Sequence, residues 1–326
     1  MKLDLLVSAV GGVDPVTTAR YAESLGYERV WVGELWHESA VVQLAEMAAS
    51  TDEIGLGSAI VNVYSRTPAV LAMTAASLQR AADGRFTLGT GVSTPTAIEE
   101  LHGMAFDRPV RRAHETIELV RELTSGADEV AYDGDLLESH SFPGLDVDVP
   151  IYHAGLGPAN RRVVGRLCDG WLPHNIPFSK LETARETVAE AADESDRDPD
   201  EITVAPYVPA AVADDPARTR AAIRRHVAYY VGSGEGYRRA VATAYPEAAS
   251  AIADAWRAGD REAAADAVTD ELVDDLGVAG RPETVRDRLR TLVDETPIDR
   301  PIVVVPAPAA AELGAGTIDA LAPERF

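Results

Sequence analysis

His153-Ala154-Gly155-Leu156-Gly157-Pro158 is the segment of this chain whose residue order best suits ligand chemistry. Two glycines let a backbone approach a ligand closely, and a proline pre-sets the first turn of a helix. The free N–H groups of such a turn, together with the positive end of the helix dipole, favour an anion such as a phosphate. A tight strand-to-helix turn with no ligand would satisfy the same residue order. Gly89 and Gly91, in Leu88-Gly89-Thr90-Gly91-Val92-Ser93, also permit close approach, but the residues that follow do not complete a dinucleotide GxGxxG. Glu34 could orient a heterocycle or relay a proton, with solvation or capping as the alternative. Trp36 and His37 could line a pocket, or simply pack. His114 lies mid-helix and reads as a packing or surface residue. His153 and His174 stand at two successive strand ends, yet no third residue at ligand spacing accompanies them, so no metal centre is expected. The chain has no GxSxG elbow, P-loop or HExxH, which removes the commonest hydrolase and nucleotidase chemistries.

These residues must be held by an alternation of short apolar runs and amphipathic helices. Strands are expected at Leu3–Val10, Arg29–Gly33, Ile54–Val61, Arg85–Thr90, Pro150–Ala154, Gly170–Pro173, Ile202–Val212 and Pro301–Val305. Between them, Asp14-Pro15 opens a helix that runs to Gly26, and further helices cover Ser39–Ser50, the stretch from Pro68 to Leu78, the one after Pro109, Leu181–Glu194 and Pro282–Asp294. Eight buried strands, each returning through a helix, require a parallel sheet covered on both faces. At this length the expectation is one α/β domain over residues 1–326, a (β/α)8 TIM barrel rather than an open doubly wound sheet. Two insertions are expected. A hairpin near 129–142 contains Tyr132-Asp133-Gly134-Asp135, and several alanine-rich helices fall within 216–276. In a barrel of this kind the ligand site lies at the C-terminal ends of the strands, where Glu34, Ala59–Asn62, Thr90–Val92 and Ala154–Pro158 fall.

The chain has 326 residues, 46% of them hydrophobic and 25% charged, which is the balance of a folded protein. Its Lys+Arg count of 30 against 53 Asp+Glu gives a net charge of −23, and only Lys2 and Lys180 are lysines. So acidic a chain excludes a basic nucleic-acid-binding surface. High acidity with few lysines suits concentrated salt, where the Debye length shrinks to about 3 Å, as in a haloarchaeal cytosol. An acidic protein of a high-GC mesophile is the alternative. Cys168 is the single cysteine, so no intrachain disulfide forms. The opening apolar stretch carries Asp4 and reads as a strand rather than a signal peptide, and no run approaches a membrane span. A cytoplasmic location is expected.

AESLGYERVWVGE, GLGSAIVNVYSRTPAVLAMTAASLQRAADGRFTLGTGV, YHAGLGPANRRVVGRLCDGW and GRPETVRDRLRTL resemble the bacterial-luciferase-like superfamily, over most of the chain. The closer resemblance is to its coenzyme F420-dependent branch, including the methylenetetrahydromethanopterin reductases. It implies an oxidoreductase that moves hydride between a deazaflavin and a small organic substrate, with FMN-dependent monooxygenation or a non-catalytic flavin- or phosphate-binding barrel as alternatives. It further implies a non-prolyl cis peptide joining Ala59 to Ile60, which with Val61 and Asn62 backs the ring. Thr90, Gly91 and Val92 would contact the cofactor, and Ala154, Gly155, Leu156, Gly157 and Pro158 would surround its phosphate. Related dehydrogenases follow their acidic residue after the second strand with a catalytic histidine. Here Glu34 is followed by Leu35, so Glu34 and His37 are the candidate catalytic residues. The family resemblance also implies a homodimer or homotetramer.

Overall fold

Proline starts most of the helices. Pro15, Pro68, Pro109, Pro158, Pro216, Pro246 and Pro282 each stand in a first helical turn, where the missing N–H costs nothing and the fixed φ helps. Asp14 adds a side-chain cap by accepting from the Thr17 N–H at 2.9 Å. The computed structural model describes residues 1–7, 13–35 and 38–326. The expected end of the first strand at Val10, its Gly11-Gly12 stop, and Trp36 and His37 lie outside these residues. Among the described residues no helix is long and apolar enough to cross a membrane.

The strands, in chain order, are β1 (Asp4–Val7), β2 (Arg29–Val32), β3 (Gly55–Ser58), β4 (Val61–Asn62), β5 (Phe86–Gly91), β6 (Val130–Asp133), β7 (Glu138–Phe142), β8 (Ile151–His153), β9 (Gly170–Trp171), β10 (Thr203–Val204), β11 (Tyr207–Val212), β12 (Val278–Gly280) and β13 (Ile302–Val304). They divide between two compact units, one of Met1–Glu28, Pro173–Glu186 and Thr203–Phe326, the other of Arg29–Leu172 and Thr187–Ile202. In the first unit β1, β13, β11 and β12 pair in that order, all parallel. Its alanine-rich helices between Pro216 and Leu276 share one core built on Ile223, Val227, Val231, Ile252, Leu272 and Leu276.

In the second unit β2, β3, β5, β8 and β9 pair in order, again all parallel, with β4 also lying on β5. β6 and β7 form an antiparallel hairpin. Its turn is held by Glu115, whose buried carboxylate accepts from the N–H groups of Asp135, Leu136 and Leu137, each at 2.9 Å.

Three details depart from the expected elements. The run Ile54–Val61 is interrupted at Ala59–Ile60, so β3 and β4 are separate pieces. The run Ile202–Val212 divides at Pro206, which has no N–H for the ladder. β12 and a C-terminal helix at Ala310–Ala320 were not anticipated, being a three-residue strand and an alanine-glycine stretch with little periodicity.

Candidate active site

Parallel register in the second unit lines up the loops singled out above. Val61 lies beside Thr90, Thr90 beside His153, and His153 beside Trp171. One residue further along, Asn62 lies beside Gly91, and the Ala154 N–H donates to the Thr90 carbonyl at 2.9 Å. Segments 59–62, 90–92 and 154–158 are thereby brought to adjoining strand ends.

The first two segments meet closely. The Ala59–Ile60 peptide bond is cis. A Cβ on Gly91 would stand 2.9 Å from both Cγ1 and Cδ1 of Ile60 and 3.5 Å from the Ala154 Cβ. Ile60 therefore lies against the Gly91 backbone, and any side chain there must displace it. Gly89 sits deeper, where a Cβ would come within 1.8 Å of the Ser58 carbonyl oxygen. The close approach at Gly89 is thus to the neighbouring strand and leaves no room for a ligand. Asn62 is buried, and its Oδ1 accepts from the Tyr64 and Ser65 N–H groups at 3.0 and 2.7 Å, so its amide shapes the turn after β4. Val92 packs on the side of Val63, Tyr64 and Ile98.

At the end of β8 the backbone is pinned from beneath. Fully buried Trp171 donates its indole N–H to the Gly155 carbonyl at 2.7 Å. His153, also fully buried, places Nδ1 3.0 Å from the Thr90 hydroxyl. Burial brings its pKa down to about 4 despite support from Asn160 and Thr90, so the imidazole is neutral near pH 7. Leu156 is half-buried, while Gly157 and Pro158 face solvent. Gly157 is the N-cap of the Pro158–Leu167 helix, and no side chain caps it. The first-turn N–H groups of such a helix have no intrahelical partner and point outward.

Arg161, one turn in, was not singled out by the sequence reading. It is half-buried, its Nε is shielded from solvent and has no hydrogen-bond partner, and burial lowers its pKa. Among the described residues it forms no ion pair, whereas Arg162 next to it pairs with Glu194. A guanidinium at a helix N-terminus opposes the dipole unless an anion lies between them. The available signal was the Asn160-Arg161-Arg162 run directly after the helix start.

Glu34 has a different setting. The Arg66 guanidinium grips it with two hydrogen bonds, the longer at 2.8 Å, and the Ala40 N–H donates to it at 3.1 Å. Burial alone would push its carboxyl up, but Arg66 and Ala40 outweigh burial and hold it below the usual range. Glu34 is therefore ionised at neutral pH and anchors the start of the Ala40–Ala48 helix. Leu35 is 41% exposed.

Parallel strands returning through helices define an α/β fold, and the end of β8 carries an uncapped helix N-terminus. Residues 14–300 match the family of luciferase-like monooxygenases, and the chain belongs to that family. It is similar to a Mycobacterium tuberculosis protein named as an inferred coenzyme F420-dependent oxidoreductase, 29% identical over 323 residues, which span 89% of this chain and 91% of the relative. It is also similar to the 5,10-methylenetetrahydromethanopterin reductase of Methanolobus tindarius, 29% identical over 283 residues and covering 85% of both chains. The coenzyme F420-dependent tetrahydromethanopterin reductase of Methanopyrus kandleri shares the fold. Its TM-score is 0.82 at 23% identity, over 99% of this chain and 97% of that one. The α/β class expected from the sequence, a luciferase-like (β/α)8 barrel, is the fold of this chain.

Proposed function

We propose that the chain is a coenzyme F420-dependent oxidoreductase that passes hydride between the deazaflavin and a small organic substrate at the C-terminal ends of its strands. One observation carries this reading. Ile60 lying against Gly91 forms an apolar support two strands away from an uncapped, arginine-flanked helix N-terminus. That arrangement suits a flat ring joined to a phosphate. The name carried by the similar Mycobacterium tuberculosis protein points to the same cofactor.

Deazaflavin, when bound, supplies the hydride chemistry. Ala59, Ile60, Val61 and Asn62 would back the ring, with Thr90, Gly91 and Val92 beside it. Ala154, Gly155, Leu156, Gly157 and Pro158 would receive the phosphate through backbone N–H groups, with Arg161 as countercharge. Glu34, ionised and locked to Arg66, would orient polar groups rather than donate a proton. His37 is the remaining candidate for proton handling. A reductase, in which hydride goes directly to an electrophilic carbon, makes the smaller demand on such a group. FMN-dependent monooxygenation is the second reading, favoured by the family's own description. A homodimer or homotetramer in the cytoplasm goes with the proposal, and light scattering would count the subunits.

The test is a pair of binding titrations with coenzyme F420 and FMN, followed by turnover of reduced F420 with carbonyl, imine and alkene acceptors. Tighter binding of F420 and its oxidation by one acceptor class are expected. Tighter binding of FMN would replace the proposal with the monooxygenase reading. F420 binding without any turnover would favour a non-catalytic barrel.

A further inference from the structure

His153 is a buried titratable group that the hydride chemistry leaves unused. It ends β8, where a strand of a parallel sheet covered on both faces calls for an apolar side chain. Its imidazole is fully buried, and burial keeps it neutral near pH 7. Burying a polar ring is costly unless its nitrogens find hydrogen-bonding partners. Nδ1 meets the Thr90 hydroxyl near the end of β5, at 3.0 Å. Nε2 of the ring and Oδ1 of Asn160 are shielded from solvent, and neither has a full hydrogen bond to any group. Asn160 nevertheless lends hydrogen-bonding support to the ring. The two unsatisfied atoms therefore answer each other across the junction of β8 and the Pro158–Leu167 helix.

The backbone between strand and helix does not fix this junction by itself. Gly155 and Gly157 are conformationally permissive, and no side chain caps Gly157. The turn instead folds back on the helix start, since a Cβ on Gly155 would stand 3.0 Å from the carbonyl carbon and oxygen of Asn160. Trp171 holds the Gly155 carbonyl from one side. His153 reaches the helix from the other, with Thr90 as its footing on β5. Arg161 follows Asn160 directly, so a contact that fixes Asn160 also fixes where that guanidinium leaves the helix.

We propose that His153 is a positioning residue, which through Thr90 and Asn160 ties the end of β5 to the first helical turn and so sets the span between the ring support at Gly91 and the anion turn at Gly157. The inference rests on the coenzyme F420 reading of these loops and adds to it a residue that acts only through others. A molecule carrying ring and phosphate on one frame gains from both subsites only when they are correctly spaced. Each half alone has no such requirement.

The test is a set of binding titrations of the full chain with coenzyme F420, a phosphate-free deazaflavin and inorganic phosphate. His153→Phe keeps a flat ring and removes both nitrogens, and F420 should bind it about tenfold more weakly. The phosphate-free deazaflavin and phosphate should each stay within a factor of about two. His153→Gln, which restores a donor and an acceptor, should bring F420 binding back to within about threefold of the parent. Asn160→Ala, a change at a half-buried helix position, should reproduce the loss even if His153→Phe does not fold. Combined with His153→Phe, it should lose no more than either change alone. Parallel weakening of all the probes would reduce His153 to a packing residue. Unchanged F420 affinity in Asn160→Ala, or additive losses in the pair, would overturn the link. A parent chain that binds neither F420 nor the phosphate-free deazaflavin would overturn the coenzyme reading, and this inference with it, before any variant is compared.

Discussion

At the end of β8 the unpaired polar groups are backbone N–H groups and one guanidinium, whereas around His174 they are imidazole nitrogens packed among tyrosine rings. The first arrangement is electrostatic and open, with Gly157 and Pro158 in solvent. The second is a packed aromatic cluster whose imidazoles and phenols are kept neutral by burial. In a chain with a net charge of −23, an anion reaches the first site only through local positive potential, and salt screens the opposing field of the whole protein. The neutral cluster is indifferent to that field. Binding at the first should therefore respond strongly to ionic strength, while the buried cluster should not.

The largest expected effect separates the ring support from the anion turn. Gly91→Val forces a side chain into the space that Ile60 fills, 2.9 Å from its carbons. Overpacking of this kind costs about 1–3 kcal/mol, and with the support displaced, coenzyme F420 should bind about 100-fold more weakly by titration. Inorganic phosphate binding should stay within a factor of about two. Equal loss for F420 and phosphate would show that the two parts are not separable.

Arg161→Met comes next. Removing a charged hydrogen-bond donor costs about 1.5–3 kcal/mol, so F420 and phosphate affinities should both fall by about 30-fold. The salt dependence of binding should flatten as well, because one countercharge is gone. An unchanged salt slope would place the anion elsewhere. Trp171→Phe keeps the ring but removes the 2.7 Å bond that fixes the Gly155 carbonyl. A net hydrogen bond is worth about 0.5–1.5 kcal/mol, so phosphate binding should weaken by about fivefold while its salt slope is kept. A loss that includes the salt slope would mean that Trp171 holds more than the turn.

The two regions also differ in how far they could be read from sequence. The Gly155-Leu156-Gly157-Pro158 turn is contiguous, and each residue's local preference points to the same strand-to-helix junction, so its place at the end of β8 was legible. Arg161 was overlooked because an arginine's role depends on whether a carboxylate reaches it, and Arg162 beside it does find Glu194. The break between β3 and β4 was invisible to periodicity, since Ile54–Val61 reads as one run with Ser58 as its only polar side chain; only the family resemblance located it. The tyrosine–histidine cluster left no trace because His174, Tyr207, His226 and Tyr237 come from a loop, a strand and two helices that tertiary packing alone brings together. Gly89 shows the opposite error. Its Gly-x-Gly spacing looked like ligand space and proves to be strand packing.

The smallest effect concerns Glu34, and it distinguishes the two regions by pH. The Glu34 carboxyl is held below its ordinary value because Arg66 and the Ala40 N–H outweigh burial. Its stabilisation is thus fully present above the unfolded value of about 4.3 and is lost as pH falls through the lower folded value. Buried His153 and His226, both brought to about 4, work in a higher window. Their folded values lie below the unfolded value of about 6.5, so stability declines as pH falls from about 6.5 toward 4, where the unfolded chain takes up protons first. Glu34→Gln should cost about 1 kcal/mol at neutral pH, the scale of a partly shielded ion pair, measured by denaturant unfolding. That difference from the parent should be constant from about pH 8 to pH 5 and shrink only on further acidification. His226→Gln should instead flatten the decline between about pH 6.5 and pH 4 and leave the more acidic limb in place. If Glu34→Gln alters the upper window, the carboxylate is coupled to a buried imidazole and its role extends beyond anchoring Arg66.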